Sequence, residues 1–264
     1  MKIGIFDSGL GGLTVMREII SLLPEEDLVY FGDTARVPYG NKSADTVIRY
    51  AHEISNFLMD HDIKLLVIAC NTASAYALQS VQEQLPIPVI GVIEPGAAQA
   101  ISVSKNQKIA VLGTRSTIQS GAYQAAIQSR SPVAQVIAIS CPLFVPLVEE
   151  DFLHHEATRL VIREYLSPMD TDVDTVLLGC THYPLMKEQI QAELINVTLV
   201  DSATTCAQRV KQVLVESGQL NEKRASEPQF FVSDDPDRFH QMSRQFLGNM
   251  TLQTGNKVLM RSFG

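Results

Sequence analysis

The chain has no long run of basic residues, no apolar stretch of transmembrane length and no Cys-x-x-Cys pair. Each absence removes a class of function. The formal net charge is −8, with 21 Lys and Arg dispersed among 29 Asp and Glu. That balance argues against a nucleic-acid or anionic-membrane surface, while leaving room for a small anionic substrate in a pocket of opposite local sign. No segment approaches the roughly 20 apolar residues that span a bilayer, and MKIGIFDSG turns polar too soon for a secretory signal. Four cysteines in 264 residues do not make a disulfide framework, so a reducing cytoplasm is the expected setting. The glycine cluster DSGLGG has Gly9, Gly11 and Gly12, not the GxGxxG spacing, and there is no GxxxxGKS/T loop. The dinucleotide and phosphate-loop fingerprints are therefore missing.

What is present is an alternation of short apolar runs and helical patterns. KIGIFD (2–7), LVYF (28–31), the run 64–69 and the run 87–92 read as strands. Helical spacing marks 13–23, 44–60 and 72–84, the second with Val47, Ile48, Ala51, Ile54, Phe57 and Leu58 on one side. Strands apolar on both faces belong to a parallel sheet covered by helices.

The order then repeats. KIAVLGTR (108–115) echoes KIGIFDSG (2–9), and TVLLGCTHYP (175–184) echoes LVIACNTAS, cysteine on cysteine. Between these echoes lie a helical pattern at 117–129, the run VIAIS (136–140) and the loop CPLFVPLVEE (141–150). The expected fold is α/β: two similar three-layer lobes with mostly parallel sheets, related by a pseudo-twofold, with the active site in the cleft between them. Strands at 195–203 and 229–235 and helices at 204–217 and 237–247 follow, and MTLQTGNKVLMRSF reads as a last strand or a packed tail. The chain is expected to cross back, so that 1–96 plus 206–264 form the first lobe and 97–205 the second.

Cys70 and Cys180 each end a buried strand just before a polar turn and a predicted helix. Ligands of open α/β sheets bind beyond such strand ends. A thiol has a reference pKa of roughly 8.5, and a helix N-terminus favours its thiolate. Two thiols so placed could act on a substrate from opposite sides. A buried cysteine at a strand end is also, on its own, commonly a small hydrophobe; Cys141, followed by Pro142, and Cys206, inside a helix, fit that description. Convergence of Cys70, Cys180 and His182 on a metal is a competing use without the usual close cysteine pair. The DSGLGG turn exposes backbone N–H groups able to hold a carboxylate, or is simply a tight turn into a helix.

Taken together, DSGLGG, FGDTARVPYG, ACNTASA and GCTHYP resemble the glutamate racemase family, within the wider aspartate/glutamate racemase superfamily. The motifs span residues 7 to 184. The resemblance implies cofactor-independent racemisation of L- and D-glutamate with no metal, supplying D-glutamate for peptidoglycan. One thiolate takes the α-proton while the other thiol protonates the opposite face. It implies Cys70 and Cys180 as the catalytic pair, Asp7 and His182 as the groups that poise them, and Glu149, in preference to Glu150, as the acid beside the second cysteine. Ser8, Tyr39, Gly40, Asn71, Thr72 and Thr181, with Asp7 and His182, match substrate-binding positions, and Thr114 occupies the slot of Ser8 in the other lobe. Thr114 has the alternative role of a helix cap and Tyr39 that of shaping its loop. The implied partner is glutamate, with no nucleic acid and no membrane. A homodimer is compatible with the family, whose members differ in how, or whether, they pair.

Overall fold

A computed structural model describes residues 1–248, 250, 258–261 and 263. Among them the strands are β1 (Lys2–Asp7), β2 (Leu28–Gly32), β3 (Ile63–Ile68), β4 (Val89–Gly91), β5 (Lys108–Gly113), β6 (Gln135–Ser140), β7 (Thr175–Gly179), β8 (Thr198–Asp201), β9 (Gln229–Val232) and β10 (Val258–Met260). The helices are α1 (Leu13–Leu22), α2 (Ala44–Met59), α3 (Asn71–Gln84), α4 (Ile93–Val103), α5 (Arg115–Gln119), α6 (Ala122–Arg130), α7 (Phe144–Glu149), α8 (Glu156–Leu166), α9 (Lys187–Glu193), α10 (Ser202–Glu216) and α11 (Pro236–Leu247).

The strands form two sheets, ordered β10-β9-β2-β1-β3-β4 and β6-β5-β7-β8, and every described pair is parallel. The block β2-β1-β3-β4 repeats as β6-β5-β7-β8, which is the pseudo-twofold read at the level of strand order. The sequential order of the strands reverses between β1 and β3 in one sheet and between β5 and β7 in the other. These are the switch points where doubly wound sheets open a crevice beyond their carboxyl ends.

Alternation along the strands makes the layers. Ile3, Ile5, Leu65 and Val67 join the apolar cluster that also holds α1 and α10, whereas Phe6, Leu66 and Ile68 join the one formed with α2 and α3. In the second sheet Ala110, Leu112, Val176 and Leu178 face the cluster with Phe144 and Ile162, and Ile109, Val111 and Leu177 face Tyr123 and Ile127. The first of these clusters is continuous through both lobes, so the inner helical layer binds the sheets to each other.

Four local differences from the sequence reading have physical reasons. The pattern at 117–129 is two helices, because Gly121 sits at φ +67° and breaks the run. Residues 93–103, to which the sequence reading assigned no element, are helix α4. Pro95 lies in the first turn, where a missing N–H costs nothing. The loop 141–150 contains a short helix, α7, and the unassigned stretch before β7 contains α8. Cys180 is followed not by an α-helix but by a 3₁₀ turn, Tyr183–Met186, with Pro184 in it. The chain does cross back: β9 pairs with β2 and β10 with β9. Of the last expected segment, residues 251–257 lie outside the described ones.

At its start, β3 carries a buried ion pair. Lys64 Nζ lies 2.7 Å from Glu26 Oε2, and it also donates to Asn221 Oδ1 at 2.8 Å. Removing one partner leaves a buried charge without its counterpart. Lys64→Met should therefore cost about 3–5 kcal/mol in urea unfolding, and adding Glu26→Leu should recover most of that loss.

Candidate active site

The two switch points face each other across a cavity of about 240 Å³. That is below the roughly 300–1,000 Å³ of sites for drug-sized ligands and suits a molecule of a few carbons. Ser8, Tyr39, Gly40, Cys70, Asn71 and Thr72 line it from the first lobe, and Thr114, Glu149, Cys180, Thr181 and His182 from the second. Asp7 lies behind this wall, fully buried at the tip of β1.

Cys70 is the N-cap of α3, and its sulfur accepts from the Ala73 N–H at 3.5 Å. Burial, followed by the charge of Asp7, pushes its pKa up to about 11, against N–H and O–H donors from Ala73 and Ser8. Burial likewise pushes Cys180 up. The N–H of His182 opposes this, while charge on Cys70, Asp7 and Glu149 adds to it. Helix N-termini were expected to favour both thiolates. Cys180 has no α-helix to do so, and at Cys70 burial outweighs the donors. Burial thus favours the protonated form of both thiols.

The neighbours of the thiols are bases of different kinds. Burial raises the pKa of Asp7, against the charge of His182 and the N–H groups of Gly9, Gly12 and Ser8; the Gly9 N–H donates to Asp7 Oδ2 at 2.9 Å. Asp7 Oδ1 and His182 Nδ1 are buried without a hydrogen-bond partner on the protein. On the other side, His182 Nε2 lies 3.0 Å from Glu149 Oε1. Burial would raise Glu149, but the hydrogen bond and charge of His182 prevail and its pKa is lowered. Glu150 is exposed and faces Arg238 at 3.9 Å. Cys141 and Cys206 are buried outside the cavity wall.

The lobes are pinned together around the cavity. Thr14 Oγ1 donates between Gly11 O at 2.8 Å and Thr181 O at 2.9 Å. Thr72, Thr114 and Thr117 form a triangle of hydroxyls 3.0–3.1 Å apart. Ser116 Oγ donates to Gly40 O at 2.7 Å, holding the Tyr39–Gly40 turn on the second lobe. Tyr39 OH donates to buried Asp33, which also accepts from Arg36 Nε at 2.7 Å and Ser233 Oγ at 2.7 Å.

Sequence reasoning missed several of these participants. Asp33 and Thr117 make contacts that only the fold creates, although the Thr-x-x-Thr spacing of a helix cap could have pointed to Thr117, whose N–H Thr114 Oγ1 accepts at 3.3 Å. Arg115, Pro142, Val145 and Pro146 also line the cavity. The last two come from α7, in a segment taken for a loop. Among the described residues no group of three or more His, Cys, Asp or Glu is arranged to hold a metal ion.

The Asp/Glu/Hydantoin racemase family model matches residues 3–210. The glutamate racemase of Geobacter metallireducens is 52% identical over 251 residues, 93% of this chain and 92% of that protein. The chain belongs to the glutamate racemase family. A solved glutamate racemase from Francisella tularensis in complex with D-glutamate superposes with a TM-score of 0.90 at 39% identity, covering 99% of this chain and 97% of that one. The Escherichia coli enzyme in complex with L-glutamate gives a TM-score of 0.79 at 28% identity, covering 98% and 97%. Family membership accounts for the paired crevices, since the family's reaction needs a group on each face of one carbon.

The raised thiols set a pH test. In the free protein, alkylation of Cys70 by iodoacetamide should be slow at neutral pH and rise only above the ordinary value of 9.0 toward about 11. By linkage, the same shift stabilises the fold below the unfolded thiol's pKa and is lost as pH rises through the folded one. Thiolate absorbance in the free protein at neutral pH would contradict this assignment. A second test is steric. A methyl group on Gly11 would overlap Thr181 Oγ1 and the His182 ring, so Gly11→Ala should lower kcat on the order of 100-fold by displacing His182, read by steady-state kinetics.

Proposed function

We propose that Cys70 and Cys180 are the two acid–base groups of a cofactor-independent glutamate racemase reaction. The observation that supports this most is that the cysteines closing two equivalent strand–turn units line the same small cavity. In one direction the Cys70 thiolate takes the α-proton of one enantiomer. The C–H electron pair is left on the α-carbon, and the Cys180 thiol delivers its proton to the opposite face, ending as thiolate. The other enantiomer is processed with the roles exchanged.

Before either thiol can act as a base it must lose the proton that burial makes it hold. Asp7 beside Cys70, and His182 backed by Glu149 beside Cys180, are the groups placed to take it. They also form the surroundings of the substrate ammonium. The carbanion needs more. Ser8, Asn71, Thr72, Thr114 and Thr181 surround the cavity with hydroxyl, amide and backbone donors for the carboxylates, and Tyr39 and Gly40 close it on the first-lobe side. Donors fixed before the reaction in a site shielded from water stabilise developing charge more than water would. With substrate present, the threonine triangle can turn its hydroxyls outward without moving its backbone.

The lobes that carry out this reaction are residues 1–96 plus 206–264 and 97–205, although α4 runs through the first boundary and α10 through the second. No helix among the described residues is long and apolar enough to cross a membrane. The setting we propose is the cytoplasm of a cell that builds peptidoglycan, with free D-glutamate as the product supplied.

Circular dichroism of L-glutamate incubated with the protein, without added pyridoxal phosphate, tests the reading. The signal should decay to that of the racemate, and it should persist with L-aspartate. The reverse preference would replace the substrate, and no decay with either would overturn the function. Cys70→Ser and Cys180→Ser should each lower the rate by about 100- to 10,000-fold. In deuterated water each should lose α-exchange of one enantiomer more than of the other. Near-normal turnover in either variant would exclude the paired-thiol mechanism.

A further inference from the structure

Tyr123 lies on α6 of the second lobe and is fully buried. A ring needed only for packing would carry no hydroxyl, because a buried phenol must find a partner. This one reaches across the lobes and donates to Asn71 Oδ1 at 2.6 Å. Asn71 Nδ2 lies 3.5 Å from Ser202 Oγ, at the start of α10. Both ends of the Asn71 carboxamide are thus held by groups from the far side of the cleft.

The same ring is seated against glycine at two places. A methyl on Gly179 would come within 2.8 Å of Tyr123 Cε2, and one on Gly96 would meet the ring and its hydroxyl at 3.6 Å. Gly179 immediately precedes Cys180, and Asn71 immediately follows Cys70. One side chain therefore touches the sequence neighbour of each thiol.

We propose that Tyr123 is a positioning residue that locks the Asn71 carboxamide and thereby sets the register of Cys70 against Cys180. This rests on the two-thiol reading. Asn71 is the first residue of α3 and Cys70 its cap, so a rotation of Asn71 disturbs the turn that carries the sulfur. Burial raises the Tyr123 pKa well above the ordinary phenol range, against a hydrogen bond with Ser202, so the phenol remains a proton donor at any working pH. The lock therefore does not titrate.

A double-mutant cycle with an independent structural readout tests this. Tyr123→Phe keeps the ring and should lower kcat/KM about tenfold in both directions, the equivalent of about 1.4 kcal/mol. In the Asn71→Ala background the same change should alter kcat/KM by less than about twofold, because the partner is already gone. By hydrogen–deuterium exchange, Tyr123→Phe should speed exchange at Asn71–Ser74 and leave α2 unchanged. Equal losses in both backgrounds would make the residue merely structural and overturn the proposal, as would unchanged exchange at Asn71–Ser74. Thermal melts confirm that all four proteins fold, with Asn71→Ser as the substitute if Asn71→Ala does not. A wild-type protein without glutamate racemisation would defeat the two-thiol reading, and the exchange experiment would still decide whether the lock exists.

Discussion

Taking a thiol out of water disfavours its anion, and this fold does so to two thiols at once in one small cavity. Burial holds Cys70 and Cys180 in their protonated forms. In the proposed reaction the same burial serves to keep water from competing for the donors around the substrate and from quenching a carbanion. Most features of the site follow from managing that conflict. Asp7 is buried behind one sulfur, and a histidine–carboxylate pair stands beside the other. The N–H groups of Ala73 and His182 and the donors of Ser8 supply the partial stabilisation that burial removes.

The two halves of the site are alike in backbone and unlike in chemistry. Repeated strand order delivers Cys70 and Cys180 from equivalent positions, but the group beside Cys70 is a carboxyl and the one beside Cys180 an imidazole. That difference fits a stereochemical task. The backbone must present groups to both faces of a carbon, whereas the substrate itself is not symmetric and its ammonium, side chain and carboxylate meet different walls. The seam between the lobes has little slack. Thr14 reaches Thr181, Ser116 reaches Gly40, and Gly11 has no room for a side chain. A rigid seam is what allows two groups on separate lobes to act on one atom.

Elements whose burial is repeated on both faces were legible because periodicity is a local property. The runs ending in Cys70 and Cys180, the acid at the tip of β1 and the glycine turn after it could be placed from residue types alone, and the family motifs supplied the substrate. Helix α4 was hidden because Pro95-Gly96 carries a turn signal that its place in a first helical turn cancels. Helix α7 was hidden because Pro142 and Pro146 break up a segment too short to show a period. The contacts of Asp33 with Ser233 and of Tyr123 with Asn71 were not legible, since each joins residues far apart in sequence.

The amino-acid order by itself determined the alternating α/β plan, its internal repeat, the two strand-end thiols and the kind of chemistry they can perform, because these depend on spacing and side-chain type. Only the tertiary structure decided that both thiols line one small cavity where burial raises their pKa values. It alone made His182 the partner of Glu149, and joined Asn71 to a tyrosine from the other lobe. Desolvation and cross-lobe hydrogen bonds are properties of distances between segments, and no pattern within a segment encodes them.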